Sequence, residues 1–266
     1  MPVVDYRAPL QCLVAVRGHP FDRNAFAALF EGMDGISATM VDQPAAARLM
    51  NPEGMRGFDV LVLYDMPGLD FAASDDPPGY VEPPGDLREG IAALCAQGTG
   101  IVALHHALAG WPAAPWYGEL LGGRFFYHPG EWQGAGVPDS GYLHDVTYGV
   151  DVVADHPVTA GVAPRFELTD ELYLAQVDEN AVTPLLRADF PFEHDRFHSA
   201  ELAVRGAMHS REGWDHPRGS NCIGWARTCA RSRLVYLQPG DGAALFANAN
   251  YRRLVENAVR WVAVTE

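Results

Sequence analysis

A chain of 266 residues, 48% of them hydrophobic, is long enough to bury a sizeable core and too apolar to stay disordered. Nineteen Lys and Arg against 34 Asp and Glu leave a net charge of −15, which excludes the electrostatic attraction that nucleic acid or an anionic membrane relies on. The four cysteines, Cys12, Cys95, Cys222 and Cys229, form no C-x-x-C pair and no zinc-ribbon spacing, so they read as small buried hydrophobes in a reducing compartment.

Leu10 to Val16 is an apolar run that reads as a first strand, ending at Arg17-Gly18-His19-Pro20. Asp22 is placed to cap the next helix, on which Phe26, Leu29, Phe30 and Met33 recur at helical spacing. Ile36 to Val41 reads as a second strand, Ala45 to Met50 as a brief helix and Phe58 to Tyr64 as a third strand. Leu69 to Gly85, rich in Asp, Pro and Gly, is expected to be a loop that walls a site at the strand ends. Asp86 with Glu89 three residues on predicts a capping box; Leu87, Ile91, Leu94 and Cys95 share one helix face, and Gly98 ends the helix. Ile101 to Leu104 is short, β-branched and without a polar face, as in a strand buried on both sides, and it runs straight into His105 and His106. This alternation predicts a doubly wound α/β fold around a mostly parallel, flavodoxin-like sheet, with long loops at the carboxyl-terminal rim where ligands bind.

Beyond that point Trp111, Trp116 and Tyr117 crowd together, Glu119 to Leu121 closes a short helix, and 130–144 is a glycine-rich loop. Asp145 to Ala154 alternates like an edge or antiparallel strand, and Phe166 leads into Thr169-Asp170-Glu171-Leu172-Tyr173. Thr183 to Arg187 is a further strand, 189–220 a polar excursion carrying His194, His198, His209 and His216, and Cys222–Ala226 with Leu234–Leu237 a pair of returning strands. The last helix carries Leu254, Val255, Ala258, Trp261 and Val262 on one face, with Asn250 as its cap. No repeat, linker, signal-like N-terminus or membrane-spanning run interrupts the chain, so a single cytoplasmic domain over 1–266 is expected.

Four histidines, His19, His128, His156 and His216, precede proline, which holds each in extended geometry at a loop or strand end. His105 occupies the elbow after the buried strand, where a side chain points at the substrate and can serve as base, metal ligand or donor. Glu171, beside Tyr173, can be acid, base or ligand. No H-E-x-x-H spacing is present, so a metal centre would have to join distant residues. His105, His128 and Glu171 are the candidates, with a divalent ion such as zinc as cofactor. The absence of G-x-S-x-G, G-x-x-x-x-G-K-[ST] and G-x-G-x-x-G argues against serine hydrolases, P-loop enzymes and dinucleotide binding.

Several blocks in order then carry a family resemblance: Gly98-x-Gly-Ile-Val-Ala-Leu-His105, Trp116-Tyr117, Gly122-Gly-Arg-Phe-Phe-Tyr-His-Pro129, Asp155-His-Pro157, Asp170-Glu-Leu-Tyr173, Gly224-Trp-Ala-Arg227 and Arg233-Leu-Val-Tyr236. Over nearly its whole length the chain resembles the ThuA-like (trehalose-utilisation) family, a branch of the class I glutamine amidotransferase-like fold. Amidotransferases hold a cysteine nucleophile at the elbow; His105 stands there instead and cannot form their thioester. The resemblance implies an enzyme of carbohydrate metabolism, not a glutaminase, working on a sugar or keto-sugar derivative by histidine and carboxylate acid–base or metal-assisted chemistry. His105, Glu171 and His128 are then the catalytic candidates, and His19, His106, Trp116, Tyr117, Tyr173 and Asp241 the substrate-binding ones. Two departures stand out: Gly240-Asp241 replaces the family's usual Gly-His, and Cys229-Ala-Arg-Ser-Arg233 replaces a Gly-Lys-Gly-Arg-Val turn. They leave open an alternative, a sugar- or partner-binding module that has lost the chemistry. The expected partner is a small sugar-like molecule, with no nucleic acid and no membrane; a homo-oligomer stays open.

Overall fold

The apolar runs become the parallel half of a large sheet: β1 (Leu10–Arg17), β2 (Ile36–Asp42), β3 (Val60–Asp65) and β4 (Gly100–Leu104). They are seen in a computed structural model that describes residues 5–71 and 78–264. The chain continues through β5 (Gly141–Val152), β6 (Arg165–Leu174), β7 (Thr183–Asp189), β8 (Cys222–Cys229) and β9 (Ser232–Leu237). The sheet order is β6-β5-β7-β8-β9-β4-β3-β1-β2. From β9 to β2 every pairing is parallel; from β6 to β9 every pairing is antiparallel.

Helices α1 (Arg23–Glu31) and α6 (Ala249–Val262) cover one face, and α2 (Ala45–Leu49), α3 (Leu87–Gln97) and α4 (Pro115–Leu121) the other. The two-residue period of a strand explains why its core residues must be apolar at every position. Val14, Val62 and Val102 pack toward α1 and α6, while Leu13, Leu61 and Ile101 pack toward α2, α3 and α4. The doubly wound expectation is met.

Several local expectations change. Asp22 caps α1 as expected, accepting from the amides of Asn24 and Ala25. Asp86 already has helical backbone and makes no side-chain cap, so the capping box before α3 does not form. The cap of α6 is Asn248; Asn250 instead accepts from the Ala163 amide. β5 is an interior antiparallel strand, because β6, which the sequence shows only as a run toward a turn, is a full ten-residue strand paired outside it. The excursion after β7 holds a short helix, α5 (Ala200–Val204), and a two-residue strand, His198–Ser199, paired with β5. Of the loop after β3, Leu69–Asp70 pairs with Gly79–Tyr80, and 72–77 lie outside the described residues. No described helix is long and apolar enough to cross a membrane.

The sheet also bends. β6 lies five places from β4, which on a flat sheet at about 4.8 Å per strand would separate them by roughly 24 Å. Yet Glu171 of β6 reaches His105 at 3.0 Å. The antiparallel half therefore coils back over the carboxyl ends of the parallel strands.

Candidate functional site

β4 ends at Leu104, and His105 turns the chain with φ +47, a left-handed conformation that costs a non-glycine residue on the order of 1–2 kcal/mol. The turn buries the imidazole completely. Gly240, at φ +157, passes so close that a Cβ there would lie 2.8 Å from the His105 Cβ; only glycine lets the two segments meet. Nδ1 of His105 donates to the Gln238 carbonyl at 2.7 Å, which fixes the tautomer and aims Nε2 at Glu171 Oε2, 3.0 Å away. The Tyr173 hydroxyl lies 3.1 Å from the same nitrogen, and its ring stacks on the imidazole at 4.8 Å. Gln238 joins the two halves a second time. Its side-chain oxygen accepts from the Tyr173 amide at 2.9 Å, and its nitrogen donates to the Tyr173 carbonyl at 3.3 Å.

Neighbouring Asp170 binds the loop after β9, accepting from the amides of Gly240 at 2.7 Å, Asp241 at 3.2 Å and Gly242 at 2.8 Å. Ionisable groups extend the central pair on both sides. His144 Nδ1 lies 3.2 Å from Glu171 Oε1; Asp241 Oδ1 lies 3.7 Å from His105 Nε2 and 3.9 Å from His19 Nδ1. His144, Glu171, His105, Asp241 and His19 thus form a line whose middle is buried and whose ends are partly exposed.

Burial alone would discourage a charge on His105, but the hydrogen bond and charge of Glu171, with Asp170 and Asp241 beyond, outweigh it and raise its pKa to about 9. Burial likewise pushes Glu171 up, and its bond to His105 with the charges of His105 and His144 overcomes this, holding the carboxyl below its usual value. Both shifts favour the charged forms, imidazolium on His105 and carboxylate on Glu171. His106 is the opposite case: burial, then the charges of His105 and His19, push its pKa well down, and its Nε2 donates to the Tyr64 carbonyl at 3.2 Å.

Of the residues singled out in the sequence, His105, Glu171, Tyr173, Asp241 and His19 come together, and His106 packs beside His19 with ring centroids 4.8 Å apart. His128 does not join them. The rings of Phe125 and Tyr127 fill the space beside Tyr173, and His128 instead faces Glu201 at 3.7 Å and stacks on Tyr80 at 5.4 Å. The expected trio of His105, His128 and Glu171 is therefore replaced by His105, Glu171 and Asp241, whose ligand atoms lie within 4.8 Å of one another. Trp116 and Tyr117 sit on α4 and pack into the core on that face, away from the cluster. His144, Asp170 and Gln238 take part although the sequence does not single them out. Asp170 had the clearest signal, standing beside Glu171.

Residues 17–262 match the family described as ThuA, trehalose utilisation. The chain belongs to the ThuA family. Among solved structures, it is 13% identical to a ThuA-like protein of Parabacteroides merdae, with a TM-score of 0.66 over 96% of this chain and 90% of the other. A ThuA-like protein of Bacteroides uniformis is 19% identical, with a TM-score of 0.61 over 98% and 95%. A glutamine amidotransferase of Thermotoga maritima shares 10% identity at a TM-score of 0.50 over 96% and 99%, so this ThuA chain has the amidotransferase-like fold. No curated protein matches the sequence.

Proposed function

We propose that this ThuA protein is an enzyme that acts on a sugar or keto-sugar derivative by proton transfer through His105 and Glu171. One observation carries the reading: an imidazole buried at the elbow, its Nδ1 locked by the Gln238 carbonyl and its Nε2 3.0 Å from a buried carboxylate. In that dry setting His105 holds a proton to give and Glu171 stands ready to accept one, the two halves of general acid–base catalysis beside a sugar carbonyl or glycosidic oxygen. The partly exposed Asp241, His19 and His144 connect the pair to the rim where substrate would sit. The family description, trehalose utilisation, supports a carbohydrate substrate. Thioester chemistry of the amidotransferase kind is disfavoured: burial raises Cys12 to about 12, Cys95 and Cys222 to about 11 and Cys229 above its usual value, and the elbow holds histidine.

The test is to assay purified protein, His105→Ala and Glu171→Gln against a panel of sugars and keto-sugars. Loss of turnover in both variants is expected; an active parent with equally active variants overturns the assignment.

A second reading has its own support, a divalent cation such as zinc at the same place. His19 Nδ1 is buried without a hydrogen-bond partner and faces Asp241, adding a second imidazole to His105, Glu171 and Asp241. Two imidazoles and two carboxylates suit zinc, and the Nδ1–H bond from His105 to a backbone carbonyl is the outer contact that metal-ligating histidines use. When bound, such an ion would supply Lewis-acid polarisation of a substrate oxygen. Metal content after gentle purification, with melting temperature in zinc and in chelator, decides: no bound metal and no shift overturns this reading and leaves the acid–base one standing.

A further inference from the structure

On the other side of α4 from the core lies a cleft of ≈ 570 Å³, none of whose lining residues belongs to the His105 cluster. Its size falls within the range of small-molecule sites. The side chains that matter are Trp132, Arg124, Arg227, Glu131, Gln133 and Asp178.

Trp132 is the exception among the six tryptophans. Trp111, Trp116, Trp214, Trp225 and Trp261 all pack into or against a core cluster; Trp132 packs against neither and borders the cleft, half-buried. The two guanidinium groups are held in place before any ligand arrives. Arg227 Nη1 donates to the Glu119 carbonyl at 2.6 Å at the end of α4, where a Cβ on Gly122 would lie 3.0 Å from it, and its Nε is buried without a partner. Arg124 donates to the Pro112 carbonyl and lies 4.6 Å over the Phe126 ring. Opposite them, Gln133 donates to Asp178.

This lining selects a ligand class. Two arginines against Glu119, Glu131 and Asp178 leave an excess of carboxylate, which opposes an anion such as phosphate. The desolvation of so many charges opposes an apolar ligand. A polyol fits both constraints, because each hydroxyl donates to a carboxylate and accepts from a guanidinium, and planar forks suit adjacent hydroxyls. A half-buried tryptophan bordering the cleft can stack on the C–H face of a pyranose ring.

We propose that this cleft is a second saccharide-binding site, separate from the elbow, which holds a pyranose unit against Trp132 between the arginines and Asp178. It shares only the ligand class with the proposed function and stands whether or not His105 moves protons.

The experiment is calorimetric titration of the full chain with glucose, trehalose and maltotriose, with tryptophan emission followed in parallel. Saturable binding is expected for the parent and for His105→Ala. Trp132→Ala and Asp178→Asn should weaken it about tenfold or more, and Trp132→Phe, which keeps a stacking face, should restore most of it. Matched melting curves establish that the variants are folded. The proposal is overturned if none of the three sugars binds the parent saturably, or if folded Trp132→Ala and Asp178→Asn bind as the parent does. Loss confined to His105→Ala would place the sugar at the elbow and overturn it equally.

Discussion

The two halves of the sheet build the site in different ways. The parallel half, β1 to β4, presents its residues just past the strand ends: His19 after β1 and His105 after β4, on loops shaped by Gly18 and Gly240. The antiparallel half presents its residues from within strands: Glu171 and Tyr173 on β6 and His144 on β5. β6 is the edge of the sheet and pairs with β5 alone, and the Gln238 side chain bonds the Tyr173 amide and carbonyl on the other side, so this stretch of β6 serves as the anvil. The parallel half sets a strained elbow against it. Neither half holds the ion pair alone.

The strongest test of this division is Glu171→Gln, which keeps the shape of the anvil and removes its charge. Under the proposed acid–base function, turnover should fall by about 10²–10⁴-fold, measured as kcat. If kcat were unchanged, the antiparallel half would be scaffold only.

Asp65, at the end of β3, tests the parallel half by itself. Burial raises its pKa to about 6, against its single bond from Gln43 at 2.6 Å. Its folded pKa lies above the unfolded one, so the native state holds its proton longer, and stability from this group falls as pH rises from about 4 through about 6. Asp65→Asn removes that slope. Relative to the parent, the variant should gain about 2–2.5 kcal/mol between pH 4 and pH 7, by urea unfolding at both values. An equal gap at the two pH values would mean that Asp65 ionises normally.

Gly240→Ala strikes the seam. Its Cβ would press on the His105 Cβ, costing about 1–3 kcal/mol in urea unfolding; no loss would show that the elbow has slack. The smallest effect is expected in the hairpin of the antiparallel half. Ala230, at φ +52, is the first of the two residues linking β8 to β9 and holds a left-handed conformation that glycine adopts without steric cost. Ala230→Gly should raise stability by about 0.5–1 kcal/mol, read as a small rise in melting temperature.

What was legible in the sequence follows the same division. A strand covered on both faces must be apolar throughout, so Leu10–Val16, Phe58–Tyr64 and Ile101–Leu104 announce themselves, and the residue after the last of them is the elbow. An alternating strand such as β6 hides among turns, and nothing local tells that the far edge of a sheet coils back to the centre. His128 looked like a partner for His105 because His-Pro places it on a rim, but extended geometry does not say what it faces. His144 was hidden further by a bulge: the β5–β6 register shifts between Leu143 and Val146, with Asp145 at φ +50, and bulges of this kind re-aim a side chain.

The closing of the sheet has a practical consequence. His105 and Glu171 are 66 residues apart, and the Tyr64 hydroxyl reaches the Gly240 carbonyl across 176. A ligand that contacted His19 or Asp241 together with His144 would touch both halves and act as a latch across them, binding the folded chain and not the unfolded one. At one hundred times its dissociation constant such a ligand would add about 2.7 kcal/mol to folding, so a melting curve becomes a screen for molecules that bind this site.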